Sequence, residues 1–221
     1  MLSRSLIAVL AVASLSACDH GDKAAIEGDA AAQDAAVVSP GQAALTEIWQ
    51  SANVGVTPPA LPEIAAAFDP SFTKIANAGN DADNAFIKST LTFIKAVQAT
   101  EPGLCAEAPL AHFTAENLAA VPADALPAFR AMLTDRLAVI ADGAGHAAPS
   151  EDLMSGSMQN FTTDLGETYD PTIAPKIAAG QAYDPAAGCA ATIKGWEALD
   201  KSPQSPQLAQ MFYELGSYGP Q

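Results

Sequence analysis

The stretch Leu126-Pro127-Ala128-Phe129-Arg130-Ala131-Met132-Leu133-Thr134-Asp135-Arg136-Leu137-Ala138-Val139-Ile140 places Leu126, Phe129, Leu133, Leu137 and Ile140 on one stripe. Apolar residues recurring three and four apart mark the buried side of an α-helix. Pro127 falls in the first turn, where its missing N–H costs nothing. The pattern recurs on both sides of this segment. Phe86, Ile87, Leu91, Ile94 and Val97 make a broad face upstream, and Met154, Met158, Phe161 and Leu165 a stripe downstream. Cys189, Ile193, Trp196 and Leu199 make a third stripe, and Ala43–Ala52, Thr114–Ala120 and Gln207–Leu215 are shorter candidates. No alternation of apolar and polar residues runs long enough for a strand. The expectation is an all-α fold: an Ala-rich bundle of about five to seven helices with Pro/Gly-rich connections and one disulfide.

Composition points the same way. The 221 residues include 49 alanines but only 20 Val and Ile together, and aromatics make up 6%. Ala is the best helix former, whereas sheets favour β-branched and aromatic side chains. The 16 prolines punctuate helices rather than kink them. Ser150 before Glu151-Asp152, and Ser205 before Pro206, read as helix starts. Phe68-Asp69-Pro70, Tyr169-Asp170-Pro171 and Tyr183-Asp184-Pro185 read as Asp caps followed by Pro. Pro102-Gly103 and Gly143-Ala144-Gly145 read as loops. Pro175 keeps Asp170–Gly180 from forming one continuous helix.

Ten Lys and Arg stand against 25 Asp and Glu, a formal charge of −15. Binding to a phosphate backbone needs cations, so nucleic acid is excluded as a partner, as is a basic membrane-surface patch.

The N-terminus reads as a secretory signal over residues 1–17. Arg4 is the positive start, and the apolar run Leu6–Leu15 is too short to span a bilayer. It ends in Leu15-Ser16-Ala17-Cys18, which resembles the lipobox of bacterial lipoproteins. The resemblance implies cleavage before Cys18, a lipidated (palmitate-type) Cys18 as the mature N-terminus, and a cell-envelope location facing the periplasm. Asp19 resembles an inner-membrane retention signal. Residues 18–39 carry Asp19, Asp22, Glu27, Asp29 and Asp34 among Ala and Gly, too little apolar surface to offset the entropy of ordering. They read as an acidic tether with a reach of about 25 Å. Residues 40–221 read as a single helical domain.

With Cys18 committed to lipid, Cys105 and Cys189 remain, an even pair in an exported chain. No CxxC spacing or nearby His favours a metal pair or a catalytic thiol, so a disulfide is expected. It would close a loop of 84 positions, worth up to about 4 kcal/mol by chain entropy.

Candidate chemistry is sparse. Ser71-Phe72-Thr73-Lys74 resembles the Ser-x-x-Lys of penicillin-binding enzymes and Ser51-Ala52-Asn53 their Ser-x-Asn, but the order is reversed and no Lys-Thr-Gly follows. His112 and His146 could act as bases, although each reads as a surface or loop histidine. His146 with Met154 and Met158 offers imidazole and thioether donors suited to copper(I), although both methionines lie on a core stripe. Asp164, Glu167 and Asp170 form an acidic cluster that could serve acid–base catalysis or hold a hard cation. Asp81 and Asp83, with Asn80 and Asn84, form a second whose spacing is not that of a calcium loop. Helix-start acids and a solvated face account for both. No catalytic constellation emerges, and no cofactor is implied. The expected function is a non-enzymatic, lipid-anchored interaction module with an envelope protein partner. A small-molecule or cation-binding lipoprotein is the alternative, and a hydrolase a third.

Overall fold

Ser39 starts the first helix by a reciprocal cap: its hydroxyl accepts from the Gln42 N–H (3.2 Å), and the Gln42 side chain accepts from the Ser39 N–H (2.9 Å). A computed structural model describes residues 38–68, 80–110, 113–144, 159, 161, 163–166, 170 and 172–201. The helices are α1 (Pro40–Ala52), α2 (Leu61–Phe68), α3 (Asn80–Val97), α4 (Pro102–Glu107), α5 (Ala115–Ala119), α6 (Leu126–Gly143), α7 (Ile173–Ala178) and α8 (Pro185–Lys201). A 3₁₀ turn, Ala108–Leu110, follows α4. Five of these eight α-helices run eight residues or more; among the described residues further helical ones fall at 159, 161 and 163–165, and no strand occurs. The fold is an all-α bundle, and none of these helices is long and apolar enough to cross a membrane.

The two 18-residue helices α3 and α6 form the central pair. On the outer side of α6 lies α1; on the other side of α3 lies α8, which carries α4 and α7 against it. Surface ion pairs tie neighbours together: Arg130 Nη1 to Glu47 Oε2 at 2.5 Å joins α6 to α1, and Lys95 Nζ to Glu197 Oε1 at 2.6 Å joins α3 to α8. Such exposed pairs add little; apolar burial holds the bundle.

The stripes on α3 and α8 are buried as expected, and so are Phe161 and Leu165. On α6 the buried face is rotated from the one the leucines suggest. Phe129, Met132, Leu133, Arg136 and Val139 are buried, while Leu126, Leu137 and Ile140 are half-buried at the edge. The reason is that α6 has neighbours on two sides, so its inner face is centred between them, on a line that includes Arg136.

That guanidinium is fully buried. Arg136 Nε donates to the Phe68 carbonyl at 2.5 Å, and Nη1 donates to the Pro109 carbonyl at 3.0 Å. The rings of Phe86 and Phe113 lie 5.5 and 5.9 Å from its central carbon. Edge-to-face contacts extend this cluster from Phe86 to Trp196, and from Phe113 to both Phe68 and Phe129. Few aromatics are present, and a large share of them surrounds one cation.

Several local expectations need correction. Pro102-Gly103 is not a loop: Pro102 opens α4, because proline is tolerated where the N–H would have no helical partner. Helix α2 has no counterpart in the expected elements, although Leu61, Ile64, Ala65 and Phe68 share a face and Pro62 suits a first turn. Asp83 does not lie on a solvated face; it is fully buried in the first turn of α3, whereas Asp81 is exposed. The expectation that Asp170–Gly180 is not one continuous helix holds: α7 spans only Ile173–Ala178, with Pro175 in its first turn.

Candidate functional site

Cys105 and Cys189 are bonded, with Cα atoms 5.2 Å apart, which fixes α4 against the start of α8. The same two elements are joined again a short distance on. The Tyr183 hydroxyl donates to Glu107 Oε1 at 2.9 Å, and Asn117 Nδ2 donates to Glu107 Oε2 at 2.8 Å. A single carboxylate thus joins the end of α4, the helix α5 and the segment leading into α8.

Each of these groups is placed by its local sequence. Asp184 caps α8 by accepting from the Ala187 N–H at 2.9 Å, which sets the direction of Tyr183 just before it. Thr114 caps α5 by accepting from the Asn117 N–H at 3.1 Å. The chain leaves α7 through Gly180, whose φ of +62° suits glycine. Its N–H donates to the Ile177 carbonyl and that of Gln181 to the Lys176 carbonyl, a Schellman motif that ends the helix.

Of these residues, Glu107, Thr114, Ile177, Gly180, Gln181 and Tyr183 border a cleft of about 710 Å³. One wall is the outer face of α2, with Leu61, Pro62, Ala65 and Ala66; another is Phe113, Thr114 and Ala115; a third is Ile177, Gly180, Gln181 and Tyr183. Glu107 completes the described lining, in which it is the one ionisable side chain besides Tyr183. No Lys, Arg or His lines the cleft among the described residues.

Burial, then the hydrogen bond to Glu107 and the charge of that carboxylate, push the Tyr183 phenol well above its ordinary range. Tyr183 therefore stays protonated and serves as a donor, not as a phenolate nucleophile. The volume is that of a small-molecule site, apolar over most of its walls with a few convergent polar groups.

Of the acidic cluster Asp164, Glu167 and Asp170, the first and last are described. Asp164 and Asp170 are exposed. Asp170 Oδ1 accepts from the Thr172 hydroxyl at 2.7 Å and from its N–H at 2.9 Å. Those two bonds, the side-chain one foremost, lower the Asp170 pKa. Cys18, the Ser71–Lys74 motif, His112, His146, Met154, Met158 and Glu167 lie outside the described residues. Among the described residues no group of three or more His, Cys, Asp or Glu could hold a metal ion.

Glu107, Asn117 and Tyr183 are the site residues that the sequence does not single out. Tyr183 stands in one of the aromatic-Asp-Pro triplets, but its partner is 76 positions away. Fold and site together define a helical bundle with a disulfide-pinned apolar cleft. No family profile, curated protein or solved structure matches the chain.

Proposed function

We propose that this chain is a lipid-anchored cell-envelope protein, facing the periplasm, that acts by binding rather than by catalysis and holds a small molecule in the cleft beside Tyr183. The cleft carries the reading. Its polar groups are engaged with one another, Glu107 with both Tyr183 and Asn117, an arrangement suited to orienting a ligand. The lipobox-like Leu15-Ser16-Ala17-Cys18 and the acidic tether support the anchoring. Stable attachment needs two or more acyl chains on Cys18, since one binds reversibly.

Two measurements test it. A thermal-shift screen of the processed protein against envelope metabolites, polyamines and divalent cations should yield a ligand that raises the melting temperature, because a ligand bound only by the native state stabilises it. Ala66→Trp, which fills the cleft from the exposed face of α2, should abolish that rise. A screen without hits, or hits that Ala66→Trp leaves intact, refutes the cleft as the binding site. Cys18→Ser should move the protein from the membrane to the soluble fraction; retention in the membrane refutes the lipid anchor.

A second reading, a protein partner in the envelope, is favoured by the turn between α1 and α2. Val54 and Val56 flank Gly55 there and are 87% and 54% exposed. A photocrosslinker at Val54 should trap one discrete partner in intact cells, and the absence of any adduct counts against it.

A further inference from the structure

The lining of the cleft has a charge pattern that selects among ligands. Glu107 supplies one carboxylate, and the rest of the described lining supplies no cation to balance it. A bound phosphate or carboxylate would meet that carboxylate beside largely apolar walls, and the described lining offers no cation to offset the repulsion. The opposite sign fits. A carboxylate has about four acceptor positions, and the Tyr183 hydroxyl and the Asn117 amide occupy one on each oxygen. The remaining positions accept donors from a ligand, and the two internal bonds hold the carboxylate in a fixed orientation to do so.

The other walls describe the rest of the molecule that fits. Leu61, Ala65, Phe113 and Ile177 offer aliphatic and aromatic surface and no charge. A small polycation such as a polyamine would leave its further charges against this apolar surface, at a high desolvation cost. A hydrocarbon or aryl body carrying a single ammonium places its charge on Glu107 and its apolar part on the walls.

Resting on the reading of the cleft as a small-molecule site, we propose that its ligand is a compact monocationic amphiphile, a primary amine on an apolar or aromatic body, with the ammonium bound by Glu107.

Three probes of matched shape test this on the full processed chain as isolated from cells: phenethylammonium, neutral 2-phenylethanol and anionic 3-phenylpropionate. Affinities are read by calorimetry and ligand-observed NMR. The cation should bind roughly tenfold more tightly than the alcohol, the scale of one charge-assisted hydrogen bond, and the anion most weakly. Glu107→Gln should erase the difference between cation and alcohol while leaving the alcohol bound. Should Glu107→Gln fail to fold, the unsubstituted protein still decides: the methylene beside the ammonium should show NOEs to the Tyr183 ring. Absence of those NOEs overturns the assignment. Alcohol or anion binding as tightly as the cation overturns the ligand class and leaves the cleft reading standing. If none of the three binds and Ala66→Trp changes nothing, the cleft reading falls, and the ligand class with it.

Discussion

Arg136 reaches across the core to the Phe68 carbonyl, 2.5 Å from its Nε, and so caps the last residue of α2 with a cation from α6. The last carbonyls of a helix lack partners within it and carry the negative end of its dipole. A buried guanidinium satisfies both conditions, and its second bond holds the 3₁₀ turn at Pro109. Both segments adjoin the cleft, so the position of the α2 wall is set from inside the core.

Arg136→Met should therefore destabilise the protein more than loss of side-chain volume predicts. It removes the guanidinium donor from two buried carbonyl groups, a cost of about 3 kcal/mol. Urea unfolding should show a lower midpoint with an unchanged slope. A loss below about 1 kcal/mol would mean that water replaces the guanidinium.

Two glycines should respond differently to alanine. A Cβ on Gly41 would meet the Leu118 carbonyl oxygen at 2.2 Å, where α1 crosses α5. The obstacle is backbone, so Gly41→Ala should cost about 2 kcal/mol or more. A Cβ on Gly188 would meet the Tyr183 ring at 2.6 Å. That ring can swing outward. The gain of about 1 kcal/mol from alanine in a helix then offsets loss of the hydrogen bond to Glu107. Gly188→Ala should leave stability nearly unchanged while altering the cleft, as thermal denaturation with a binding assay would show.

Tyr183 makes an alkaline prediction. Its folded pKa lies above the unfolded value near 10, so the stabilisation it contributes is complete below about pH 10 and is lost as pH rises through the folded pKa. The unfolded chain releases the proton first, which pulls the equilibrium toward unfolding. Ultraviolet titration of the four tyrosines should show one with strongly delayed ionisation, absent in Tyr183→Phe. Delayed ionisation that persists in Tyr183→Phe would contradict the assignment.

Replacing both Cys105 and Cys189 with Ala should lower stability by up to about 4 kcal/mol, the loop entropy of 84 positions. Because the bond lies beside Glu107, the double variant should also weaken binding in the cleft. The unreduced, unfolded protein should show neither cysteine reactive in a thiol assay.

The helices are legible wherever apolar spacing is unambiguous, as on α3 and α8, and where a cap is local, as at Asp184. The disulfide follows from the pair of cysteines left once Cys18 is set aside, with no CxxC spacing or nearby His to suggest another use. What the sequence hid were relationships between distant segments. Nothing in the spacing of α6 marks Arg136 as buried, because its partners are the carbonyl groups of Phe68 and Pro109, and a carbonyl has no side-chain signature. The site was hidden for the same reason. Glu107, Asn117 and Tyr183 are ordinary residues individually and become a unit only when α4, α5 and the start of α8 converge. Asp164 and Asp170, close in sequence, are exposed, in keeping with the solvated face expected of them.

The Cys105–Cys189 bond has a consequence of timing. Both sulfur-bearing residues are almost wholly shielded, at 0% and 1% exposure, so an oxidant must reach them before α3, α4 and α8 close over the pair. Once the helices have docked, dissolved thiols cannot readily reverse the step. The bond is thus a record of where the chain folded. A copy that folds under reducing conditions lacks it, and a count of reactive thiols after unfolding tells the two histories apart.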